Sequence, residues 1–217
     1  MKLVIIGSSG HGRVVADAAG LAGHEVIGFI DDFTPDGEVD GIARLGGCDR
    51  IPALAALHPG LGAAVAIGDN HNRLQIARRA LSLAPGLSFP AILHPTAIIA
   101  RSVTLGQGVV MLARAVANAG ARLGDFALLN TGAIAEHDVE LGVGASLAPG
   151  AIAAGWARLG EGAAVMMGAM VREKCHIGDH ALVGMGSIVT ADLPSGAVAW
   201  GNPARLQRTR NSDEPYL

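Results

Sequence analysis

One histidine of this 217-residue chain stands between two carboxylates, in the segment Glu136-His137-Asp138. The sequence around it is rich in Ala and Gly and poor in titratable residues, so the cluster is conspicuous. A carboxylate beside an imidazole holds it in one tautomer and stabilises its protonated form, which a general base at neutral pH requires. His137 is therefore the candidate base. The residues alone leave an alternative open, in which the three side chains are simply a solvent-exposed polar segment without a catalytic role.

A second chemical signal lies near the N-terminus, in the turn Gly7-Ser8-Ser9-Gly10-His11-Gly12 between an apolar strand and a helical pattern. Free backbone N–H groups at a helix N-terminus favour an anion, so this turn can hold a phosphate. Its spacing is not that of the dinucleotide fingerprint, and a purely structural turn stays open. Asp31 and Asp32 end the next predicted strand, where open α/β sheets bind ligands, and they suit hydroxyl or base hydrogen bonds.

The elements that must position His137 belong to an internal repeat. Apolar-glycine pairs recur at a constant interval of eighteen positions, at Leu105-Gly106, Leu123-Gly124, Leu141-Gly142, Leu159-Gly160 and Ile177-Gly178. Every sixth residue from Leu93 to Val189 is apolar, and the residue four positions later is nearly always small or Val. A period of 3.6 would drift out of phase within a few repeats. The pattern therefore predicts a triangular parallel β-helix with one large and one small inward residue in every six.

Residues eighteen positions apart in such a helix stack in vertical columns. Gly155 then lies beneath His137, where a glycine leaves space and a bare amide for an acyl group or an oxyanion.

The first part of the chain alternates strands and helices, which predicts a small Rossmann-like parallel α/β unit. We expect this domain to span residues 1–84, the β-helix residues 85–206 and a C-terminal tail residues 207–217. The predicted elements are strands at Lys2–Ile6, His24–Ile30 and Ala63–Ile67 and helices at Arg13–Leu21 and Arg73–Leu83.

Composition excludes several classes of function. The formal net charge is −3 and no run of basic residues occurs, so the sequence offers no basic segment that would attract nucleic acid or an anionic membrane. Half of the residues are hydrophobic, yet no stretch of about 18 residues is free of charge and turn residues, as a spanning helix requires. The short apolar run after Met1 does not suit a signal peptide, so we expect a cytoplasmic protein.

Several motifs in order across residues 2–206 resemble the bacterial nucleotide-sugar acetyltransferases, which include sialic-acid O-acetyltransferases and N-acetyltransferases of 4-amino sugars such as bacillosamine and perosamine precursors. The motifs are Gly7-Ser8-Ser9-Gly10-His11-Gly12-Arg13-Val14-Val15-Ala16-Asp17, Phe29-Ile30-Asp31-Asp32, Ala66-Ile67-Gly68-Asp69-Asn70, Leu129-Asn130-Thr131, Glu136-His137-Asp138 and Gly201-Asn202-Pro203-Ala204.

The resemblance implies a left-handed β-helix and a homotrimer with active sites between neighbouring prisms. Acetyl-CoA is the implied cosubstrate, and a nucleotide-linked amino sugar is the implied acceptor. Matching positions imply a base and its acidic partner, His137 and Asp138. They imply sugar-nucleotide contacts at Ser9, Gly10, His11, Asp31, Asp32 and Gly68. The implied acetyl-CoA contacts are Asn130, Gly155, Met167 and Met185, and Pro149, Met167 and Met185 form an apolar column that suits pantetheine.

One position departs from the family pattern. Ser146 stands where many members carry a histidine nine residues after the base, so a hydroxyl would contact acetyl-CoA there without a charge.

The activity that we predict is acetyl-CoA-dependent N-acetylation of the 4-amino group of a nucleotide-linked 4-amino-4,6-dideoxy sugar, by direct transfer and without a metal. The alternatives are sugar O-acetylation, a trimeric zinc hydratase of the γ-carbonic anhydrase kind, and a nucleotide-binding scaffold without activity. The base of the nucleotide stays open between UDP, GDP and dTDP, and the loop at 33–47 is a candidate for selecting it.

Overall fold

The computed structural model describes residues 1–214 and 216 and confirms a small parallel α/β unit followed by a parallel β-helix. The unit contains a three-stranded parallel sheet in the order β2-β1-β5. Its elements are β1 (Lys2–Ile6), α1 (Gly10–Leu21), β2 (Glu25–Ile30), β3 (Glu38–Val39), β4 (Ile42–Ala43), α2 (Ile51–Leu57), β5 (Gly62–Val65) and α3 (Asn70–Leu83).

The helices of this unit begin earlier than the apolar pattern predicts. Helix α3 begins at Asn70 rather than Arg73, because Asp69 caps it by accepting a hydrogen bond from the Asn72 N–H at 2.9 Å. Helix α1 likewise begins at Gly10 rather than Arg13. Helix α2 and the β3–β4 hairpin were not predicted, and the hairpin strands are only two residues each.

The β-helix consists of two-residue parallel strands that form three faces, and each strand pairs with the strand one full coil further along the chain. We name one face for the α/β unit that covers it and the other two for their outward side chains. The covered face contains β6 (Ile92–Leu93), β9 (Val110–Met111), β12 (Leu128–Leu129), β15 (Ser146–Leu147), β18 (Ala164–Val165) and β21 (Leu182–Val183). The apolar face contains β7 (Ile98–Ile99), β10 (Val116–Ala117), β13 (Ile134–Ala135), β16 (Ile152–Ala153), β19 (Met170–Val171) and β22 (Ile188–Val189).

The charged face contains β8 (Thr104–Leu105), β11 (Arg122–Leu123), β14 (Glu140–Leu141), β17 (Arg158–Leu159) and β20 (His176–Ile177). An antiparallel hairpin of β23 (Ala197–Gly201) and β24 (Ala204–Thr209) extends the covered face beyond β21.

The inward positions form the prism core that the six-residue pattern predicts. The second residue of each strand points inward, and from Met111 to Val189 every one is buried. The small residues four positions later, such as Ala115 and Ala133, are fully buried beside them. Alanine at this position lets the narrow prism close around the larger aliphatic side chains.

The outward positions differ between the three faces. On the covered face they are buried, and Val110 and Leu128 pack in one cluster with Val15 of helix α1. The charged face presents Thr104, Arg122, Glu140, Arg158 and His176. The apolar face presents Ile98, Val116, Ile134, Ile152, Met170 and Ile188, of which Ile98 and Met170 are exposed.

Arg73 of helix α3 joins the α/β unit to the prism. Its side chain is fully buried, and it donates to the carbonyl oxygens of Phe126 (3.0 Å) and Gly144 (2.8 Å) on the prism. It also donates to the carbonyl oxygens of Ile67 and Gly68 in its own unit. Burial lowers the pKa of Arg73 to about 10, so the guanidinium remains a cation at neutral pH.

Candidate active site

His137 and Asp138 lie at the corner where the apolar face meets the charged face, which we call the histidine corner (residues 118–121, 136–139, 154–157 and 172–175). The His137 Nδ1 lies 3.0 Å from Asp138 Oδ2, and both side chains are 47% exposed. An Nδ1–H that donates to this carboxylate fixes the tautomer and leaves the Nε2 lone pair free. Nε2 can therefore accept a proton from a substrate.

Gly155 lies directly against the imidazole, as predicted by the column rule, which is the stacking of residues eighteen positions apart. A Cβ at this position would stand 2.6 Å from both Cε1 and Nε2 of His137. The Gly155 N–H donates no hydrogen bond to any residue in 1–214 or 216. The column thus supplies a close approach to the reactive nitrogen and an unused amide.

Two further side chains of the histidine corner escaped the sequence analysis. The Trp156 ring meets the His137 imidazole edge to face, with 4.5 Å between centroids, and Lys174 Nζ lies 5.6 Å from the Trp156 centroid. Trp156 and Lys174 follow Asp138 in the next two coils, each at the eighteen-position interval of the repeat. The column rule that connects His137 with Gly155 would have found both if applied to Asp138.

The acetyl-CoA residues implied by the resemblance occupy other parts of the prism. Asn130, Met167 and Met185 lie at the corner between the covered and apolar faces, which we call the methionine corner (residues 130–133, 148–151, 166–169 and 184–187). Met167 is 47% exposed and Met185 is 56% exposed. Within one chain, the apolar face therefore separates them from His137 and Gly155.

Ser146 lies outside both corners. It is an outward residue of the covered face, between Leu128 and Ala164 in the ladder, and it is only 6% exposed. Its implied contact with acetyl-CoA stays a prediction, and this burial does not favour it.

A cleft of about 390 Å³ lies at the carboxyl ends of β1, β2 and β5. Its walls include four of the residues that the resemblance implies for the sugar nucleotide. These are Ser9, Asp31, Asp32 and Gly68. Ser9 is the N-cap of α1, and its side chain makes no capping hydrogen bond, so its hydroxyl is free to meet a ligand.

Protein donors already occupy the two carboxylates of this cleft. Asp31 accepts hydrogen bonds from Ser8 N (2.9 Å), from Ser8 Oγ (2.6 Å) and from two backbone N–H groups of the following loop. Desolvation opposes ionisation, but these hydrogen bonds lower the pKa of Asp31 to about 2. Asp32 pairs with Arg79 at 2.6 Å and accepts from the Cys48 N–H at 2.9 Å. Both carboxylates therefore hold the loops that form the cleft.

Gly10 and His11 belong to the first turn of α1. Gly10 is exposed, with open space around it, whereas His11 is partly buried. Burial first, and then the charge of Arg73, lower the pKa of His11 to about 4. His11 is therefore neutral at physiological pH and lies near the guanidinium that joins the two units.

Across residues 1–214 and 216, no group of three or more His, Cys, Asp or Glu side chains is arranged to hold a metal ion. None of the helices there has the length and hydropathy needed to cross a membrane.

A three-faced parallel β-helix with this histidine–carboxylate corner belongs to the hexapeptide-repeat class. Comparison with known proteins refines that assignment. Residues 2–80 match the PglD N-terminal domain. UDP-N-acetylbacillosamine N-acetyltransferase of Bacillus subtilis is 34% identical over 113 residues, which are 52% of this chain and 51% of that protein. The match thus spans about half the length of the curated relative.

Two solved structures resemble nearly the whole chain. GDP-perosamine N-acetyltransferase of Caulobacter crescentus, in complex with CoA and GDP-perosamine, is 36% identical with a TM-score of 0.90, and the match covers 96% of this chain and 98% of that one. The acetyltransferase domain of PglB from Neisseria gonorrhoeae, in complex with acetyl coenzyme A, is 34% identical with a TM-score of 0.88 and coverages of 95% and 98%.

The chain belongs to this family of left-handed β-helix sugar N-acetyltransferases. The resemblance drawn from its motifs is thereby confirmed, as is the fold class.

Proposed function

We propose that the protein transfers the acetyl group of acetyl-CoA to the 4-amino group of a nucleotide-linked 4-amino-4,6-dideoxy sugar. One observation carries the proposal: the His137–Asp138 pair, 3.0 Å apart, presents a free Nε2 directly against Gly155. The relatives' substrates supply its chemical class, because the Caulobacter enzyme was crystallised with CoA and GDP-perosamine. A cytoplasmic location is part of the proposal.

The transfer is direct. The sugar amine attacks the thioester carbonyl carbon, a C–N bond forms, and His137 Nε2 takes a proton from the amine nitrogen. The Gly155 N–H is available to donate to the oxyanion that develops on the carbonyl oxygen. The C–S bond then breaks, and the CoA thiolate leaves and is protonated by the imidazolium. Asp138 stabilises that imidazolium throughout.

A homotrimer completes the site in this proposal. The outward residues of the apolar face form a continuous ladder of six aliphatic or Met side chains, which a second and a third copy would cover. Packing of three apolar faces around one axis would bring the histidine corner of one chain beside the methionine corner of the next. Acetyl-CoA would then contact Met167 and Met185 of one chain while its thioester meets His137 of another.

In the same proposed assembly, the acceptor would reach the base of a neighbouring chain. The α/β unit docks on the covered face and at the corner between the charged and covered faces, through Phe126 and Gly144. Its cleft is therefore remote from the histidine corner of its own chain. A nucleotide sugar bound in this cleft beside Ser9 would extend its amine toward His137 of a neighbour.

The decisive experiment is a thiol-release assay with acetyl-CoA and a panel of UDP-, GDP- and dTDP-linked 4-amino-4,6-dideoxy sugars, with sialic acid as the hydroxyl acceptor. We expect turnover of one amino sugar and a loss of kcat/KM of about 100-fold or less in His137→Ala, because a neutral amine is already a good nucleophile. His94→Ala is the matched control, since His94 is a prism-corner histidine that hydrogen-bonds Thr96 instead of a carboxylate.

Other outcomes would overturn the proposal. Turnover of sialic acid alone would favour O-acetylation. Zinc in the purified protein together with CO₂ hydration activity would favour a hydratase. The absence of both thiol release and acetyl-CoA binding would favour a scaffold.

Sedimentation equilibrium tests the assembly, for which we expect three times the chain mass of 21.9 kDa.

A further inference from the structure

Three consecutive residues of one column at the histidine corner have left-handed backbone. They are Asp138 (φ 57°), Trp156 (φ 57°) and Lys174 (φ 61°). At the methionine corner the equivalent positions are glycine in four coils: Gly132, Gly150, Gly168 and Gly186. This backbone conformation costs free energy for an L-residue with a Cβ, and Arg114, Phe126 and His180 adopt it at the other corners. Asp138 is the partner of the base, and Trp156 and Lys174 continue its column in the next two coils.

Trp156 connects His137 with Lys174. Its ring lies 4.5 Å from the imidazole and 5.6 Å from Lys174 Nζ, so a single aromatic ring separates that ammonium from the imidazole. Lys174 forms no ion pair with a carboxylate in the described chain, whereas the nearby Arg158 pairs with Glu140 at 3.7 Å. Lys174 is thus an exposed cation beside Trp156, and no carboxylate in residues 1–214 or 216 pairs with it.

We infer that Lys174, supported by Trp156, binds the diphosphate of the nucleotide-linked acceptor. The inference rests on the proposed function, because it takes the acceptor amine to lie at His137 Nε2. Only a pyranose ring separates that amine from the first phosphate, a span of about 6 Å from standard bond lengths. With an amine about 3 Å from Nε2, the diphosphate comes within reach of Lys174.

The axial position of the nucleotide cleft agrees with this assignment. Gly68 of the cleft lies two residues before Asn70, whose side chain donates to the carbonyl oxygens of Gly162 and Ala163. These residues lie farther along the prism than His137. In a trimer with its axis parallel to the prisms, a neighbour's nucleotide would therefore approach His137 from the side on which Trp156 and Lys174 lie.

The diphosphate of CoA does not fit this position. The pantetheine arm separates it from the thioester by about 16 Å when extended, which is well beyond the reach of Lys174 from the reacting carbonyl. The nucleotide sugar is therefore the ligand that Lys174 recognises.

The test compares Lys174→Met, Lys174→Gly and Lys174→Arg in steady-state kinetics with each substrate varied. Lys174→Gly removes the ammonium at a position whose left-handed backbone favours glycine, so its effect does not come from added backbone strain. For Met and Gly we expect KM for the nucleotide sugar to rise about tenfold, as for a lost charged hydrogen bond, with kcat and KM for acetyl-CoA within about twofold of wild type. Arg should restore most of the affinity.

Two controls separate this role from others. Arg122→Met removes a positive charge elsewhere on the prism and should leave both KM values unchanged. A methyl glycoside of the same amino sugar has no diphosphate, so wild type and Lys174→Met should acetylate it equally well. A rise in KM for acetyl-CoA, or no change in either KM, would overturn the inference.

Calorimetry keeps the inference testable if the proposed reaction fails. Titration of the assembled protein with UDP, GDP and dTDP and with their nucleosides measures the preference for the diphosphate directly. Lys174→Met should reduce that preference about tenfold, and an unchanged preference would contradict the inference whatever the activity.

Discussion

The nucleotide cleft and the histidine corner place their polar groups in opposite ways. In the cleft, protein donors occupy both carboxylates, and Asp31 alone accepts four hydrogen bonds. At the histidine corner, the His137 imidazole has one hydrogen-bond partner, Asp138, so Nε2 remains free, and Lys174 contacts the Trp156 ring instead of a carboxylate. The first region therefore uses its charged groups to fix the shape of the cleft, whereas the second leaves the reactive nitrogen available for chemistry.

Arg73 gives the largest expected effect, because it joins the α/β unit that contains the cleft to the prism that contains the histidine corner. Arg73→Met would leave the buried carbonyl groups of Phe126 and Gly144 without a donor. We expect the free energy of unfolding to fall by about 3–5 kcal/mol, measured by urea denaturation. Arg78→Met on the same helix removes only an exposed 3.5 Å contact with Glu161 and should change stability by less than about 0.5 kcal/mol. An equal decrease in the free energy of unfolding in Arg73→Met and Arg78→Met would contradict this role of Arg73.

The pH dependence of stability tests whether the α/β unit also buries a neutral imidazole. His11 has a folded pKa of about 4 and an ordinary value of 6.5, so the unfolded chain takes up its proton first as pH falls. Its contribution is complete above pH 6.5 and is lost between pH 6.5 and about 4, roughly 3 kcal/mol in all. His11→Gln should flatten the fall in unfolding free energy across that window.

Gln75→Ala serves as the control for His11, because it changes an exposed residue of the same unit and removes no titratable group. A slope that is the same in His11→Gln and Gln75→Ala would contradict the burial of the imidazole.

Gly155→Ala tests the position of the imidazole at the histidine corner. The added Cβ would collide with Cε1 and Nε2 of an imidazole that is half-exposed and able to turn away. We therefore expect kcat/KM in the thiol-release assay to fall by about 10- to 100-fold, with stability changed by less than about 1 kcal/mol. Gly86→Ala, which meets open space, should leave both quantities unchanged. An active Gly155→Ala enzyme would mean that the imidazole does not act from its observed position.

The prism was predictable from sequence because its constraint is periodic. Inward residues such as Leu129 and Leu147 recur at a fixed interval, and the same interval predicted the contact between His137 and Gly155. The α/β unit was less predictable at its boundaries. The start of α3 depends on the cap at Asp69, and the β3–β4 hairpin has strands too short for an alternating pattern.

The candidate sites were predictable to different degrees for the same reason. Asp31 and Asp32 were predicted as ligand contacts, but their occupation by Ser8, Arg79 and loop amides depends on long-range packing. The Arg73 link is equally invisible in sequence, because a buried arginine satisfied by carbonyl groups resembles any helical arginine. The positions of Trp156 and Lys174, in contrast, follow from the column rule when it is applied to Asp138.

The unbroken interval of the repeat also limits how this protein can change in length. Duplication of a single strand with its corner would turn every later coil by one face. The aliphatic ladder would then continue on a different side of the prism, and the segment that receives Asn70 would move away from helix α3. A duplication of one full coil, with all three strands and corners, would preserve both alignments and only lengthen the prism. Insertions and deletions that preserve this architecture, whether natural or engineered, therefore add or remove whole coils.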